Sequence, residues 1–133
     1  MADATPPTDS RLLTSAREAA NNAYAPYSNF RVGACVLSED ASIYSGANVE
    51  NASYGLAVCA ERVAILTAVA AGKTRLSRLA VVAYGPDGKE IAAPPCGACR
   101  QVIAEFMKDD AVIVLADGTC MTVEELLPRP FRL

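Results

Sequence analysis

Five cysteines and no histidine set the chemistry open to this chain. Three of the cysteines stand in two short runs that each open a helical pattern: Cys59-Ala60-Glu61-Arg62 and Pro94-Pro95-Cys96-Gly97-Ala98-Cys99-Arg100. The first continues into Ala64, Ile65, Leu66, Ala68, Val69, Ala70 and Ala71, with Glu61 and Arg62 as its only charges. A helix apolar on nearly every side is a buried one, so charges in its first turn need partners. A helix N-terminus favours thiolate over thiol. Three converging thiolates suit Zn²⁺ at about 2.3 Å each, and three protein ligands leave a fourth position open for water, as in catalytic rather than structural zinc sites. Glu61, two residues beyond Cys59, is placed to lean over that position and carry protons between the water and a substrate. Three thiolates outweigh the dication by one charge and weaken acidification of the water. Arg62 and the two helix dipoles offset that excess, which gives Arg62 a supporting role behind Cys59.

The same residues admit plainer readings. Cys96 and Cys99 could cycle as a dithiol, although a thioredoxin-type pair follows the first strand of its fold. Cys35 or Cys120 could complete a closed four-cysteine structural site, although Cys35 lies in a strand pattern and Cys120 just past a turn, where small core residues are expected. Glu61 could be an ordinary first-turn glutamate, which explains its position but not its company.

Composition narrows the field further. Without histidine, histidine-based triads and histidine-ligated metals are excluded, so any zinc must be held mainly by thiolates. An odd cysteine count in a chain with no leader pattern argues against a disulfide framework. At 133 residues, 52% hydrophobic and 20% charged, the chain reads as one α/β domain over 1–133 with a loose tail at 1–7. The net charge is −3 and the basic residues are scattered. Polynucleotide binding needs a concentrated basic surface, so a small substrate is expected and nucleic acid is not. No apolar run reaches membrane-spanning length and Met1–Asp9 lacks a signal pattern. No membrane partner is therefore expected, and the expected compartment is the cytoplasm.

The elements that must hold these residues follow from periodicity and breakers. Thr8, Asp9 and Ser10 are candidate caps for a helix to about Asn22, with Leu12, Leu13, Ala16, Ala19, Ala20 and Ala23 at helical spacing. Phe30–Ser38 reads as a central strand, and Glu39-Asp40 turns it into a second strand, Ser42–Ala47. Asn48–Gly55 is a polar connection, and the Cys59 helix ends at Gly72. A strand over Leu79–Tyr84 stops at Gly85-Pro86-Asp87-Gly88. The Cys96 helix is expected to pack through Val102, Ile103, Phe106 and Met107, with Lys108 at its C-terminal dipole. A buried strand over Ala111–Ala116 and a capping box at Thr122–Glu125 complete the chain. This alternation predicts a three-layer α/β/α fold: a mixed five-stranded sheet with helices on both faces, and ligands where helix N-termini gather at strand ends.

Cys-Ala-Glu-Arg at 59–62 with Pro-Cys-Gly-Ala-Cys-Arg-Gln at 95–101 closely resembles the cytidine deaminases of the short, three-cysteine kind. Ala25-Pro26-Tyr27-Ser28-Asn29-Phe30-Arg31-Val32-Gly33-Ala34, Asn48-Val49-Glu50-Asn51-Ala52-Ser53-Tyr54 and Leu126-Leu127-Pro128-Arg129-Pro130-Phe131 extend the resemblance over nearly the whole chain. It implies a cytidine deaminase-like fold with one zinc ion per subunit on Cys59, Cys96 and Cys99. It further implies hydrolytic deamination of cytidine and 2′-deoxycytidine in pyrimidine salvage, with Glu61 shuttling protons, and a homotetramer. By the same resemblance Asn48 and Glu50 hold the ribose 3′-hydroxyl, and positions two apart on an extended segment do share a face. Phe30 lines the base pocket, and Ala52, Tyr54 and Ala60 belong to the binding segments. Phe131 reaches the base of a neighbouring subunit.

Overall fold

The computed structural model describes residues 7–133, so the expected tail at 1–7 lies outside the described residues except for Pro7. The elements in chain order are α1 (Asp9–Ala20), β1 (Arg31–Ser38), β2 (Ile43–Ala47), a 3₁₀ turn (Tyr54–Leu56) and α2 (Ala60–Ala70), followed by β3 (Leu76–Tyr84) and β4 (Glu90–Ile91). The chain ends with α3 (Gly97–Phe106), β5 (Met107–Leu115), β6 (Cys120–Thr122) and α4 (Val123–Leu126). The strands form one mixed sheet ordered β2-β1-β3-β5-β6, with the two-residue β4 on the end of β3. Among the described strands only β3 and β5 pair in parallel, which is the pairing that needs a crossover, and α3 lies within that crossover. The expected layered α/β fold is the observed one, its mixed sheet holding six strands rather than five because the short β4 adds to β3.

Alternation along the strands divides the core in two. Ala34, Val36, Leu79, Val81, Ile113 and Leu115 face α2, α3 and α4 and pack on Ala64, Ile65, Ala68 and Ile103. Their neighbours Cys35, Leu37, Ala80, Val82 and Val114 point the other way, onto Leu12 and Ala16 of α1. Strands buried on both faces read as continuous apolar runs, as β1 and β3 do. Thr8 caps α1 by accepting from Arg11 N at 3.3 Å, and the expected capping box at Thr122 and Glu125 forms.

Close approach of α1 to the sheet depends on a missing side chain. A Cβ on Gly33 would lie 1.8 Å from the Ala16 carbonyl oxygen and 2.7 Å from Ala20 N, both backbone atoms. Gly33→Ala must therefore push α1 off the sheet. We expect a loss of about 3 kcal/mol and a Tm lower by roughly 10 °C. A denaturant titration in which the variant unfolds with the wild type would contradict this packing.

Three expectations need correction. Cys120, expected with Cys35 among the small core residues, is exposed at the start of β6, whereas Cys35 is buried. Met107 and Lys108 do not belong to α3, which ends at Phe106; Met107 is the first residue of β5, buried and paired with Leu76. The α2 helix is not buried all round either. It buries Ala60, Glu61, Ala64, Ile65 and Ala68 along one face, while Leu66 is 51% exposed on the other. Among the described residues, no helix is long and apolar enough to cross a membrane.

Candidate active site and metal centre

Both helices that carry the cysteine motifs begin on a cysteine. Cys59 occupies the N-cap of α2 and Cys96 the N-cap of α3, each in extended backbone and neither using its side chain to cap. Cysteine is not a favoured cap, and here the two sulfurs turn toward each other instead. Cys59 Sγ lies 3.7 Å from Cys96 Sγ, and Cys96 Sγ lies 3.4 Å from Cys99 Sγ in the first turn of α3. All three sulfurs fall within 4.8 Å of one another. Tetrahedral coordination at about 2.3 Å per bond places sulfurs about 3.8 Å apart, so the cluster has the dimensions of a zinc site.

Electrostatics make the same case. Hydrogen bonding from Cys99, aided by Arg62, pulls the Cys59 thiol down to about 5, and the same sharing together with burial pushes Cys99 up. Like charges this close oppose one another, so neighbouring thiolates work against each other's ionisation. A divalent ion removes that conflict. Arg62 Nη2 donates to Cys59 Sγ at 3.6 Å, while its buried Nε has no hydrogen-bond partner among the described residues. A guanidinium drawn into partial burial to face sulfur fits a donor set that carries excess negative charge. The residues present fit zinc.

Glu61 sits in the first turn of α2 and is 5% exposed. Burial, the largest cause, pushes its carboxyl up to about 7, and the neighbouring Cys59 adds to the rise. It lies on the wall of a cavity of about 280 Å³ whose lining also includes Phe30, Asn48, Glu50, Cys59, Ala60 and Cys96. The structure therefore brings together most of the residues named from sequence. Cys99 lies behind this wall, fully buried, and Arg62 backs Cys59. Tyr54, 83% exposed, lines an adjoining hollow with Tyr27 and Glu50. Ala52 is exposed outside both hollows. Phe131 is 70% exposed and outside the cavity.

The 48–50 connection is less loose than its polar sequence implies. Val49 pairs with Val58 through two backbone hydrogen bonds of 2.9 Å, and Tyr24 bonds both Asn48 O and Glu50 N on the other side. Asn48 Oδ1 accepts from Val32 N at 2.8 Å, and its Nδ2 donates to Phe30 O at 2.9 Å. Glu50 Oε1 accepts from Tyr27 N and Ser28 N at 3.0 and 3.2 Å, and Oε2 accepts from Ser28 Oγ. These bonds, the Ser28 hydroxyl first, hold the Glu50 carboxyl below its ordinary range.

Three supporting residues escaped the sequence reading. Ser28 is one. Arg100 is another: Nε donates to Pro95 O at 2.8 Å and Nη1 to Leu126 O at 3.0 Å, fixing the turn that delivers Cys96. The third is Gln101, whose side chain bonds both Phe131 O and Phe131 N, at 2.9 and 3.3 Å. All three lie inside motifs that look informative, but only pairing across the fold reveals what they bond. A larger hollow of about 580 Å³, at residues 74–76 and 104–109, holds none of the named site residues. Two of its cations, Lys108 and Arg132, already pair with Glu39 and Asp109.

Comparison with known proteins decides the family. The family model described as the cytidine and deoxycytidylate deaminase zinc-binding region matches residues 6–116. The chain belongs to the cytidine and deoxycytidylate deaminase family. It is accordingly an enzyme of a hydrolytic, zinc-binding class. A cytidine deaminase of Halalkalibacterium halodurans is 48% identical over 90% of this deaminase and 91% of its own length. The crystal structure of a cytidine deaminase from Burkholderia pseudomallei superposes with a TM-score of 0.85 at 41% identity, covering 94% of this chain and all of that one. One from Mycobacterium tuberculosis gives 0.78 at 38% identity, over 92% and 95% of the two chains.

Proposed function

We propose that this deaminase converts cytidine and 2′-deoxycytidine to uridine and 2′-deoxyuridine with release of ammonia, in pyrimidine salvage in the cytoplasm. It does so with one zinc ion per chain on Cys59, Cys96 and Cys99. The observation that carries the reading is the convergence of those three sulfurs beside a buried carboxyl, in the wall of a cavity sized for a small molecule. Zinc, when bound, lowers the pKa of a coordinated water and so supplies the nucleophile for C4 of cytosine. Glu61 has a carboxyl raised toward neutrality, which suits it to accept a proton and return it to the base and the leaving amine. Arg62 balances the thiolate charge from behind Cys59. Phe30 and Ala60 bound the space for the base.

The hydrogen-bond inventory favours a sugar hydroxyl as the second anchor. Asn48 uses one of its two Nδ2 hydrogens on Phe30 O and keeps the other. Glu50 has three of its about four lone-pair positions filled, which leaves one on Oε2. One free donor and one free acceptor on the same cavity wall match a hydroxyl, which can both accept and donate. Glu50→Ala is therefore expected to raise KM for cytidine by at least about tenfold with bound zinc unchanged. An unchanged KM would remove Glu50 from substrate recognition.

Homotetramer assembly is part of the same proposal. Its support is the apolar surface left open on one chain: Leu66 on α2, Tyr54 and Leu56 beside the cavity mouth, and Phe131 on the tail, each at least half exposed. In such an assembly Phe131 reaches the base bound by a neighbouring chain, and Tyr54, in the same binding segment as Ala52, lies near a subunit boundary. The deciding experiment is zinc quantification of purified protein combined with an ultraviolet assay for loss of cytidine and deoxycytidine, alongside light scattering for mass. Metal-free protein inactive on both nucleosides, even after zinc is added, would overturn the reading.

A further inference from the structure

We propose that Ser28 is a positioning residue for nucleoside recognition, its hydroxyl locking the Glu50 carboxylate and the Phe30 backbone into one rigid frame. The proposal rests on the reading that Glu50 holds a sugar hydroxyl, and it goes beyond that reading by naming what aims the carboxylate.

The geometry is specific to this side chain. Ser28 Oγ donates to Glu50 Oε2 and accepts from Phe30 N at 3.0 Å. Phe30 O in turn accepts from Asn48 Nδ2. One hydroxyl therefore joins the acid and the aromatic of the cavity wall, and the aromatic's carbonyl joins the amide. The loop that carries Ser28 is itself held in shape. Asn29 adopts the left-handed region at φ 56°, which asparagine tolerates better than most residues, and its N–H bonds Ala25 O at 3.0 Å.

The division of labour at Glu50 shows why the hydroxyl matters. Both backbone donors, Tyr27 N and Ser28 N, converge on a single oxygen, Oε1. With those alone the carboxylate can pivot about Oε1 and swing Oε2 through a range of positions. Among the described residues Ser28 Oγ is the one donor that grips Oε2, and Oε2 carries the lone pair left for a ligand. Removing the hydroxyl keeps both backbone bonds to Oε1 and frees two groups of the frame, the recognising oxygen Oε2 and Phe30 N. Charge-assisted hydrogen bonds of this kind are directional, so an unaimed Oε2 loses discrimination as well as affinity.

The experiment compares cytidine with 3′-deoxycytidine in the zinc-loaded enzyme. Variants are Ser28→Ala, the isosteric pair Ser28→Val and Ser28→Thr, Glu50→Ala, and the Ser28→Ala/Glu50→Ala double variant, each checked for zinc content and Tm. The wild type is expected to prefer cytidine by at least about tenfold in kcat/KM. Ser28→Ala and Ser28→Val should reduce that preference to within about threefold, mainly through a higher KM for cytidine, and Ser28→Thr should restore it. In the Glu50→Ala background, Ser28→Ala should add less than about a factor of two. Wild-type preference in both hydroxyl-deleted variants, or an undiminished Ser28→Ala effect without Glu50, would overturn the assignment of Ser28. Equal treatment of the two nucleosides by the wild type would instead sink the Glu50 reading, and this proposal with it.

Discussion

Glu61→Gln is expected to lower turnover by about 10²–10⁴-fold while zinc stays bound and the fold stays intact. Glutamine keeps the shape and removes the proton-carrying capacity, so the loss falls on kcat rather than on substrate affinity. A carboxyl pushed up to about 7, by burial first and also by the neighbouring Cys59, is uncomfortable as an anion. The neutral variant should accordingly melt no lower than the wild type, as expected where a site is tuned for chemistry at the expense of stability. Single-turnover kinetics, metal analysis and a melting curve on the same preparation check all three statements. Near-normal turnover in Glu61→Gln would end its assignment as the proton carrier.

Cys99→Ala is expected to abolish both zinc binding and activity, and to uncouple stability from metal. Cys99 is fully buried in the first turn of α3, 3.4 Å from Cys96. Replacing its sulfur with a hydrogen costs little packing but breaks the three-sulfur set. A ligand that binds only the folded chain stabilises it by about 3–4 kcal/mol at 100–1,000 times its dissociation constant. A chelator should therefore lower the Tm of the wild type and leave Cys99→Ala unmoved. The same chelator experiment on Cys35→Ala and Cys120→Ala should resemble the wild type, because neither sulfur belongs to the cluster. Retention of zinc by Cys99→Ala would point to a different ligand set.

The centre of the site is legible in sequence because it is local. Cys59 with Glu61 and Arg62, and Cys96 with Cys99, each fit within a single helical turn, so spacing alone places them on two helix starts. Their convergence depends on tertiary structure, and the lack of histidine is what makes it inferable. Asn48 and Glu50 are legible for a similar reason, as alternate residues on one extended segment. Ser28 and Gln101 are not, because their partners lie 22 and 30 residues away and no periodicity marks them. The misplaced end of α3 has a tertiary cause as well. Val102, Ile103, Phe106 and Met107 fit helical spacing, yet Met107 gains more by pairing with Leu76 at the start of the parallel β3–β5 ladder. Lys108, Asp109 and Asp110 carry no strand propensity of their own, so nothing local announces the switch. The exposed side of α2 misleads in the opposite direction, since an all-apolar helix reads as fully enclosed whether its cover is the same chain or another.

The two parts of the sulfur cluster are separated by 37 residues, a span that includes all of β3 and β4. During synthesis Cys59 leaves the ribosome well before Cys96, so the ion cannot be fully gripped until everything between them exists. Chelation then closes a long loop, the kind of closure whose entropic cost grows only slowly with length. Metal capture is in this way tied to the later stages of maturation. In a zinc-starved cell the expected consequence is a larger share of less stable, metal-free chains exposed to proteolysis.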